Sequence, residues 1–240
     1  MNIGGIQKCS LIDYPGKISL VVFTRGCNFF CPYCHNPELI EAEPDGRAFG
    51  SASSERAFDQ EDLFCFLEKR KNLLDGVVIS GGEPTLHHDL PQFIRRINDM
   101  GFLVKLDTNG SRPDVLEDIV NNGLADFIAM DVKTSPAHYE PFAGASFDAS
   151  AISRSVSIII NAGIHHEFRT TCVHPLVTDA DIQQIARMVS GADSYVLKRP
   201  ETRRVFDPDF FTHTGRPASS AELDQFLHIL FPYVKQCHIR

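Results

Sequence analysis

The sequence predicts an α/β fold in which about six parallel strands form a partial, open (β/α) barrel. Short apolar runs rich in β-branched residues alternate with segments of helical periodicity along most of the 240 residues. The strand candidates are almost continuously apolar, which is typical of parallel strands covered on both faces. Because six strands are fewer than the eight of a closed barrel, we expect the barrel to be open.

The strand candidates are short and regularly spaced. The first, residues 18–23 (ISLVVF), is continuous and apolar. Each candidate is followed by a polar segment or by one containing Gly or Pro, as expected where a strand ends in a loop. The other five candidates are residues 76–80, 102–107, 127–132, 166–173 and 194–198.

The first helix is predicted after Asp59, which is a favourable N-cap residue. The helix should extend to about residue 74 and carry Leu63, Phe66 and Leu67 on its apolar face. Cys65 lies beside that face and is expected in the core.

The remaining helices follow from capping residues and apolar periodicity. Ser111 and Pro113 are expected to begin one helix, and Gly123 to end it. Further helices are predicted over about residues 89–100, 149–162, 179–190 and 219–230.

Length and composition predict one domain over residues 1–240, with a core of about 16–200 and a C-terminal extension of about 201–240. Residues 41–56, rich in small and charged residues, are expected to form a mobile loop. Every apolar run is shorter than the roughly 18 residues of a membrane span, and the N-terminus has no secretory pattern, so we expect a cytoplasmic protein. The formal charge of −8 argues against nucleic acid as a partner.

Three of the seven cysteines lie close together in the loop after the first strand. Cys27, Cys31 and Cys34 have the spacing C-x₃-C-x₂-C. Structural zinc normally takes four protein ligands, and His35 is poorly placed beside Cys34 to be the fourth. A [4Fe–4S] cluster held by three thiolates leaves one iron free to bind another molecule. The spacing favours such a cluster, and the alternative is a zinc or redox-inert site in a non-enzymatic binding protein.

The cysteine triplet, with Tyr33 just before its last member, resembles the signature of the radical S-adenosylmethionine (SAM) superfamily. Residues 80–84 (SGGEP), at the end of the second strand, resemble the glycine-rich SAM-binding motif of that superfamily. The resemblance implies a TIM-like barrel of the radical SAM type, and a cluster whose open iron binds the amino and carboxylate groups of SAM. The glycines would then allow close approach of the backbone to SAM.

Polar residues end the third and fourth strands, where parallel strands meet at one edge of the sheet. By resemblance to glycyl-radical activating enzymes, Asp131 and Lys133 are expected to contact SAM. Asp107, Thr108, Met130 and Asp131 match positions that can hold a monovalent cation beside SAM. The complete set of predicted cofactor-binding residues is Tyr33, His35, Gly81, Gly82, Glu83, Asp107, Asn109, Asp131 and Lys133.

Three further residues near the ends of the last strands have two interpretations. Arg169, His174 and Arg199 could reach the adenosine or the substrate, and a purely structural role is equally compatible with their positions. The basic segment 198–204 (KRPETRR) could meet an anionic group or an acidic partner, although such runs are usually solvated surface.

Residues 4–39 closely resemble the activating proteins of anaerobic (class III) ribonucleoside-triphosphate reductase, and the likeness continues to about residue 200. It implies an enzyme that cleaves SAM with one electron from the cluster and uses the 5′-deoxyadenosyl radical to take a Cα hydrogen from a glycine. The implied partners are a large glycyl-radical protein and an electron donor such as flavodoxin or ferredoxin. The alternatives within the superfamily are a formate-lyase type partner or a small substrate such as a pterin.

Overall fold

The computed structural model describes residues 1–40 and 58–240, so the loop predicted at residues 41–56 lies outside the described residues. The strands of the described part are β1 (Ile3–Ser10), β2 (Ser19–Thr24), β3 (Gly76–Gly81), β4 (Leu103–Thr108), β5 (Phe127–Asp131), β6 (His165–Thr171), β7 (Val173–His174), β8 (Ser194–Lys198), β9 (Arg216–Pro217) and β10 (Gln236–Ile239). Eight of them form one sheet in the order β1-β2-β3-β4-β5-β6-β8-β10.

The sheet is mainly parallel. β1 pairs with β2 in antiparallel orientation, and every other pair in the sheet is parallel. β1 and β10 stand at opposite edges and do not pair with each other among the described residues, so the barrel is open. The predicted fold, with its six central parallel strands, is confirmed.

Both edge strands were absent from the sequence prediction. β1 contains Gly4 and Gly5 and is partly exposed, so it has no apolar run that would identify it as a strand. β10 has four residues, none of them fully buried. Backbone pairing with a neighbouring strand, which no local pattern encodes, creates both strands.

The helices of the described part are α1 (Gln60–Glu68), α2 (Leu90–Asp99), α3 (Pro113–Asn121), α4 (Glu140–Ala143), α5 (Ser150–Asn161), α6 (Asp179–Met188), α7 (Pro208–His213) and α8 (Ser220–Leu230). The six predicted helices are present, but α1 ends at Glu68 and not near residue 74 as predicted, and the short α4 and α7 were not predicted. The Asp59 side chain accepts a hydrogen bond from the Glu61 amide at 2.8 Å, so Asp59 caps α1 as expected.

The buried face of α1 differs from the predicted one. Leu63, Phe64 and Leu67 are buried, whereas Phe66 is only partly buried and Cys65 is exposed. The helix is rotated so that Phe64 packs against Phe93 of α2, with ring centroids 5.4 Å apart. The prediction that Cys65 lies in the core was therefore wrong.

Alternation along the strands separates the two faces of the sheet. Leu106, Ile128 and Met130 belong to the large core between the sheet and the helices. Tyr14, Val21 and Val78 form a smaller apolar cluster of their own. No helix among the described residues is both long and apolar enough to cross a membrane.

Strand register brings charged residues side by side. Asp131 of β5 pairs with Arg169 of β6. Thr171 of β6 pairs in turn with Lys198 of β8. Polar side chains from neighbouring strands therefore meet at the carboxyl ends of the parallel strands.

Candidate active site

A cavity of about 280 Å³ opens at the carboxyl ends of the parallel strands. Every predicted cluster ligand and every predicted cofactor-binding residue except Glu83 lines it. The lining residues are Cys27, Phe29, Cys31, Tyr33, Cys34, His35, Asn36, Ser80, Gly81, Gly82, Asp107, Thr108, Asn109, Asp131, Lys133, Arg169, Thr171, Lys198, Arg199, Pro200 and Glu201.

The three predicted ligand cysteines lie on the loop that leaves β2. A turn with the Cys34 amide donating to the Cys31 carbonyl at 2.9 Å sets their relative position. Burial raises the pKa of the Cys27 thiol to about 12 and that of the Cys31 thiol to about 11. Iron bound here must therefore displace protons from the thiols, which couples metal binding to deprotonation.

The donor set fits a multinuclear cluster. Among the described ranges, no group of three Cys, His, Asp or Glu side chains is arranged so that it could hold a metal ion. The three thiols all line the cavity. In an iron–sulfur cluster each thiolate can bind a different iron, so the three thiols need only face one space.

Tyr33 lies in the wall of the cavity beside the cysteines. Its ring packs against Phe142 with centroids 6.0 Å apart. Its hydroxyl is buried and has no hydrogen-bond partner among the described residues. Since burial raises the pKa of this hydroxyl, Tyr33 presents an unsatisfied O–H donor, a group that a polar ligand could engage.

His35 lines the same cavity and is exposed to solvent. Burial and the nearby Lys198 ammonium lower the pKa of the imidazole. His35 is therefore a neutral donor or acceptor at neutral pH.

The glycine turn after β3 packs directly on the cysteine loop. The Gly82 amide donates to the Thr24 carbonyl at 2.9 Å, and the Glu83 amide donates to the Gly26 carbonyl at 2.8 Å. A Cβ atom at Gly82 would lie 2.1 Å from the Gly26 carbonyl oxygen. The close approach seen here is between the two motifs, and the expectation that the glycines also allow SAM to approach stays a prediction.

We expect Gly82→Ala to lower the iron content and the SAM affinity of the protein together, several-fold each, because the new methyl group would push the cysteine loop away from β3. Iron analysis and SAM binding after anaerobic reconstitution would measure both quantities. Gly5→Ala is the matched control, since a Cβ atom there meets nothing within 4 Å. Normal iron content with selective loss of SAM binding would instead support a role for Gly82 toward SAM alone.

Glu83 does not line the cavity and is fully buried behind its wall. Its carboxylate accepts hydrogen bonds from the Thr108 hydroxyl at 2.7 Å and the Asn109 amide at 2.6 Å. Burial raises its pKa, and these hydrogen bonds partly offset the rise. The predicted direct contact of Glu83 with the cofactor is not supported by this position, because the residue instead joins the ends of β3 and β4.

Asn109 connects the end of β4 to the cysteine loop. Its side-chain amide donates to the Asn28 oxygen at 3.0 Å, and the Asn28 amide donates to Ser111 at 2.9 Å. Since Asn28 directly follows Cys27, this chain of hydrogen bonds fixes the loop from a second side.

Four charged residues form a compact network in the cavity wall. Arg169 Nε donates to Asp131 Oδ1 at 2.7 Å, and Arg169 Nη1 donates to Asp107 Oδ2 at 3.2 Å. Lys133 Nζ donates to Asp131 Oδ2 at 2.8 Å. Lys105, buried below them, completes the network by pairing with Asp107.

The network keeps its members charged. Burial alone would raise the pKa of both carboxyls, but Arg169 together with Lys105 lowers that of Asp107, and Arg169 together with Lys133 holds that of Asp131 well below its usual range. Burial would lower the pKa of Lys133, yet Asp131 raises it well above normal. Lys133 is therefore a permanent cation at the cavity surface.

The monovalent-cation prediction receives no support from this arrangement. Each carboxylate oxygen of Asp107 and Asp131 already accepts from a cationic side chain. Met130, another residue of the predicted cation site, is fully buried in the core. The cation stays a prediction.

Sequence reasoning treated the stretch after β8 too coarsely. Arg169 and Arg199, which had two interpretations, both line the cavity, whereas His174 lies in β7 and pairs with β9. Lys198 and Glu201 also line the cavity, but the sequence analysis considered them only as part of the basic segment 198–204. The rule that functional residues follow barrel strands, applied to the last strand, would have identified them.

Comparison with known sequences agrees with this geometry. The sequence pattern of the radical SAM superfamily matches residues 21–189. A relative from Methanocaldococcus jannaschii, provisionally named a glycyl-radical enzyme activating enzyme, is 36% identical over 213 residues, covering 87% of this chain and 83% of the relative. The pyruvate formate-lyase-activating enzyme of Clostridium pasteurianum is 29% identical over 137 residues, covering 55% of this chain and 52% of that enzyme.

Among solved structures, Streptococcus suis SuiB bound to S-adenosylmethionine has a similar fold. The TM-score is 0.60 at 15% identity, and the match covers 92% of this chain. The match also covers 49% of the SuiB chain, so this chain spans about half of it. At that identity the likeness concerns the fold.

Proposed function

Because the chain belongs to the radical SAM superfamily and, within it, to the glycyl-radical enzyme activating family, we propose that it installs a glycyl radical on anaerobic ribonucleoside-triphosphate reductase. The observation that carries the proposal is the cavity in which three thiols, a glycine turn and permanent cations line one space. The choice of this reductase rests on the resemblance of residues 4–39 to its activating proteins.

The cysteine loop supplies the ligands. Cys27, Cys31 and Cys34 would each bind one iron and leave the fourth for SAM. When bound, the reduced [4Fe–4S] cluster and SAM supply one-electron cleavage of a carbon–sulfur bond and abstraction of a hydrogen atom.

The charged network would orient SAM. Lys133 stays protonated and can donate to the carboxylate or the ribose of SAM. Asp131 holds the Lys133 ammonium in place at 2.8 Å, and Arg169 holds Asp131 in turn. Such a preformed set of donors binds a polar ligand without reorganising.

An aromatic cluster protects the cysteine loop from water. Phe29 packs against Tyr139 with centroids 5.9 Å apart, and the Phe30 amide donates to the Phe142 carbonyl at 2.7 Å. The Tyr139 hydroxyl accepts from the Lys133 amide at 3.0 Å, so the cluster is tied to the charged network. Exclusion of water protects radical chemistry from side reactions.

Radical transfer to the reductase is the decisive measurement. The reconstituted protein, incubated without oxygen with dithionite, SAM and the reductase, should give the electron paramagnetic resonance doublet of a Cα–H glycyl radical. We expect slow SAM cleavage in the absence of the reductase. A Gly→Ala change at the radical site of the reductase should remove the doublet and leave the complex intact.

Two outcomes would overturn the assignment. A doublet on a pyruvate formate-lyase type protein, with none on the reductase, would favour the activity named for the Clostridium pasteurianum relative. Consumption of a pterin with no radical on either protein would replace the activase by a small-molecule enzyme.

A further inference from the structure

The chain after β8 runs from the lining of the cavity to exposed residues on the protein surface. Arg199 and Glu201 line the cavity, and the chain then continues through residues 202–204 on the surface. We call residues 199–204 the arginine segment. Unlike a solvated loop elsewhere on the surface, this segment begins with residues that line the cavity.

Backbone hydrogen bonds attach the end of this segment to the cysteine loop. The Phe206 amide donates to the Cys34 carbonyl at 2.8 Å, and the Asp207 amide donates to the Pro32 carbonyl at 2.9 Å. The ring of Phe206 lies 6.5 Å from that of Phe30. The arginine segment therefore ends two residues before a backbone hydrogen bond to Cys34, which is a predicted cluster ligand.

The segment is a local concentration of positive charge on an acidic protein. Arg199, Arg203 and Arg204 are exposed, whereas the formal net charge of the chain is −8. None of the three arginines forms an ion pair with a residue in ranges 1–40 and 58–240. Their charges are available to a partner.

Glu201, the only acidic residue within the segment, offsets part of this charge, because the Arg203 guanidinium contributes to lowering the pKa of its carboxyl. The Glu201 carboxylate accepts hydrogen bonds from the Thr202 amide at 2.9 Å and the Arg203 amide at 3.0 Å, so it is turned toward its own backbone. Asp207, just beyond the segment, accepts from the Asp209 amide at 3.0 Å at the start of α7.

The backbone of the segment is held in an uncommon conformation. Arg204 has φ = 53°, in the left-handed region that few residues other than glycine adopt. Such a conformation persists where the surroundings fix it, and Val205 and Phe206, which follow, are buried. The buried pair therefore fixes how Arg203 and Arg204 are presented.

We propose that the arginine segment is the docking surface for a small acidic electron-carrier protein that reduces the iron–sulfur cluster. This inference rests on the proposed function, which requires one electron from outside for each cleavage of SAM. The carrier, a flavin or iron–sulfur protein, is oxidised by one electron and the cluster is reduced by one, with no atom transferred. Opposite charge steers the carrier to the segment, and the hydrogen-bonded path to Cys34 makes the approach short.

The glycyl-radical partner fits this surface less well. Its target glycine must enter the cavity, whereas Arg203 and Arg204 lie beyond the part of the segment that lines the cavity. Electron transfer, by contrast, requires only that the carrier approach the cluster closely. The surface therefore favours the electron carrier.

Binding of a strongly acidic flavodoxin to the reconstituted protein tests the proposal. Arg203→Glu/Arg204→Glu should weaken the Kd by about tenfold or more at low ionic strength and flatten its dependence on salt. A neutral pair, Arg203→Gln/Arg204→Asn, should have a smaller effect, and its Asn tolerates the left-handed backbone. Circular dichroism and iron content would show that each variant folds and binds the cluster.

The matched control is Arg95→Glu/Arg187→Glu, which changes the net charge equally at exposed positions on α2 and α6. An unchanged Kd in the Arg203/Arg204 variant, or equal weakening in the control, would overturn the proposal. Loss of reductase binding with normal flavodoxin binding would assign the surface to the other partner and overturn it as well. SAM cleavage driven by dithionite should be unaffected, and failure of that reaction in the unaltered protein would count against the proposed function instead.

Discussion

Replacing any one of Cys27, Cys31 or Cys34 with alanine is expected to reduce SAM cleavage below detection. Each thiol would hold a different iron, so the loss of one would leave a second iron without its thiolate ligand. The other cysteines that the structure describes do not line the cavity. Formation of 5′-deoxyadenosine and the absorbance of the cluster would measure the effect.

Cys65→Ala is the control for these variants. Cys65 is exposed on α1 and lies outside the cavity, so its removal should leave cleavage and iron content unchanged. Full activity in any one of the three loop variants would show that the loop is not the set of cluster ligands. A loss of activity in Cys65→Ala would show that thiol substitution acts through stability.

Arg169→Met is expected to have the largest effect on stability. Arg169 has a side chain that is 9% exposed and that binds both Asp107 and Asp131. Its removal leaves the largely buried Asp107 and Asp131 carboxylates with one cationic partner fewer. Breaking a buried ion pair lowers the free energy of unfolding by about 3–5 kcal/mol. Because the Asp131 side chain is 29% exposed, the lower end of that range applies. Denaturant unfolding at neutral pH would measure the loss.

The stability difference between Arg169→Met and the unaltered protein should depend on pH in a definite direction. The pKa values of Asp107 and Asp131 are depressed in the folded protein, so their stabilising contribution is present above the ordinary carboxyl range and is lost as the pH falls. The difference between Arg169→Met and the unaltered protein should therefore shrink as the solution is acidified. A difference that grows toward acidic pH would contradict the network.

Arg154→Met makes the same change at the surface. Arg154 also pairs with two carboxylates, Asp114 and Glu117, but its side chain is 50% exposed. We expect a much smaller loss than in Arg169→Met, because solvent screens exposed ion pairs. Equal losses in the two variants would mean that burial does not determine the strength of the Arg169 pairs.

The sequence was sufficient to predict the central strands and most of the cavity lining, for one physical reason. Parallel strands covered on both faces produce apolar runs, and their carboxyl ends lie at one edge of the sheet. Asp107, Asp131 and Lys133 could therefore be placed together although they follow different strands. Their role toward SAM stays a prediction that the binding experiments address.

Features that depend on contacts between distant parts of the chain could not be predicted from the sequence. Glu83 stands beside two cavity-lining glycines, yet hydrogen bonds from the end of β4 draw its side chain inward. α1 is rotated by its packing against α2, which no pattern within α1 specifies. β1 and β10 are strands only because a neighbour pairs with them.

The contact between Gly26 and Gly82 has a consequence for inheritance. Gly26 has φ = 87° and no side chain to shorten, so it cannot make room for a larger residue at position 82. No substitution at position 26 can compensate for a larger residue at position 82, because the atom that would clash is a backbone oxygen. A recombinant gene that joins the cysteine loop of one parent to the glycine turn of another keeps this contact only if the first parent supplies glycine at position 26 and the second supplies glycine at position 82.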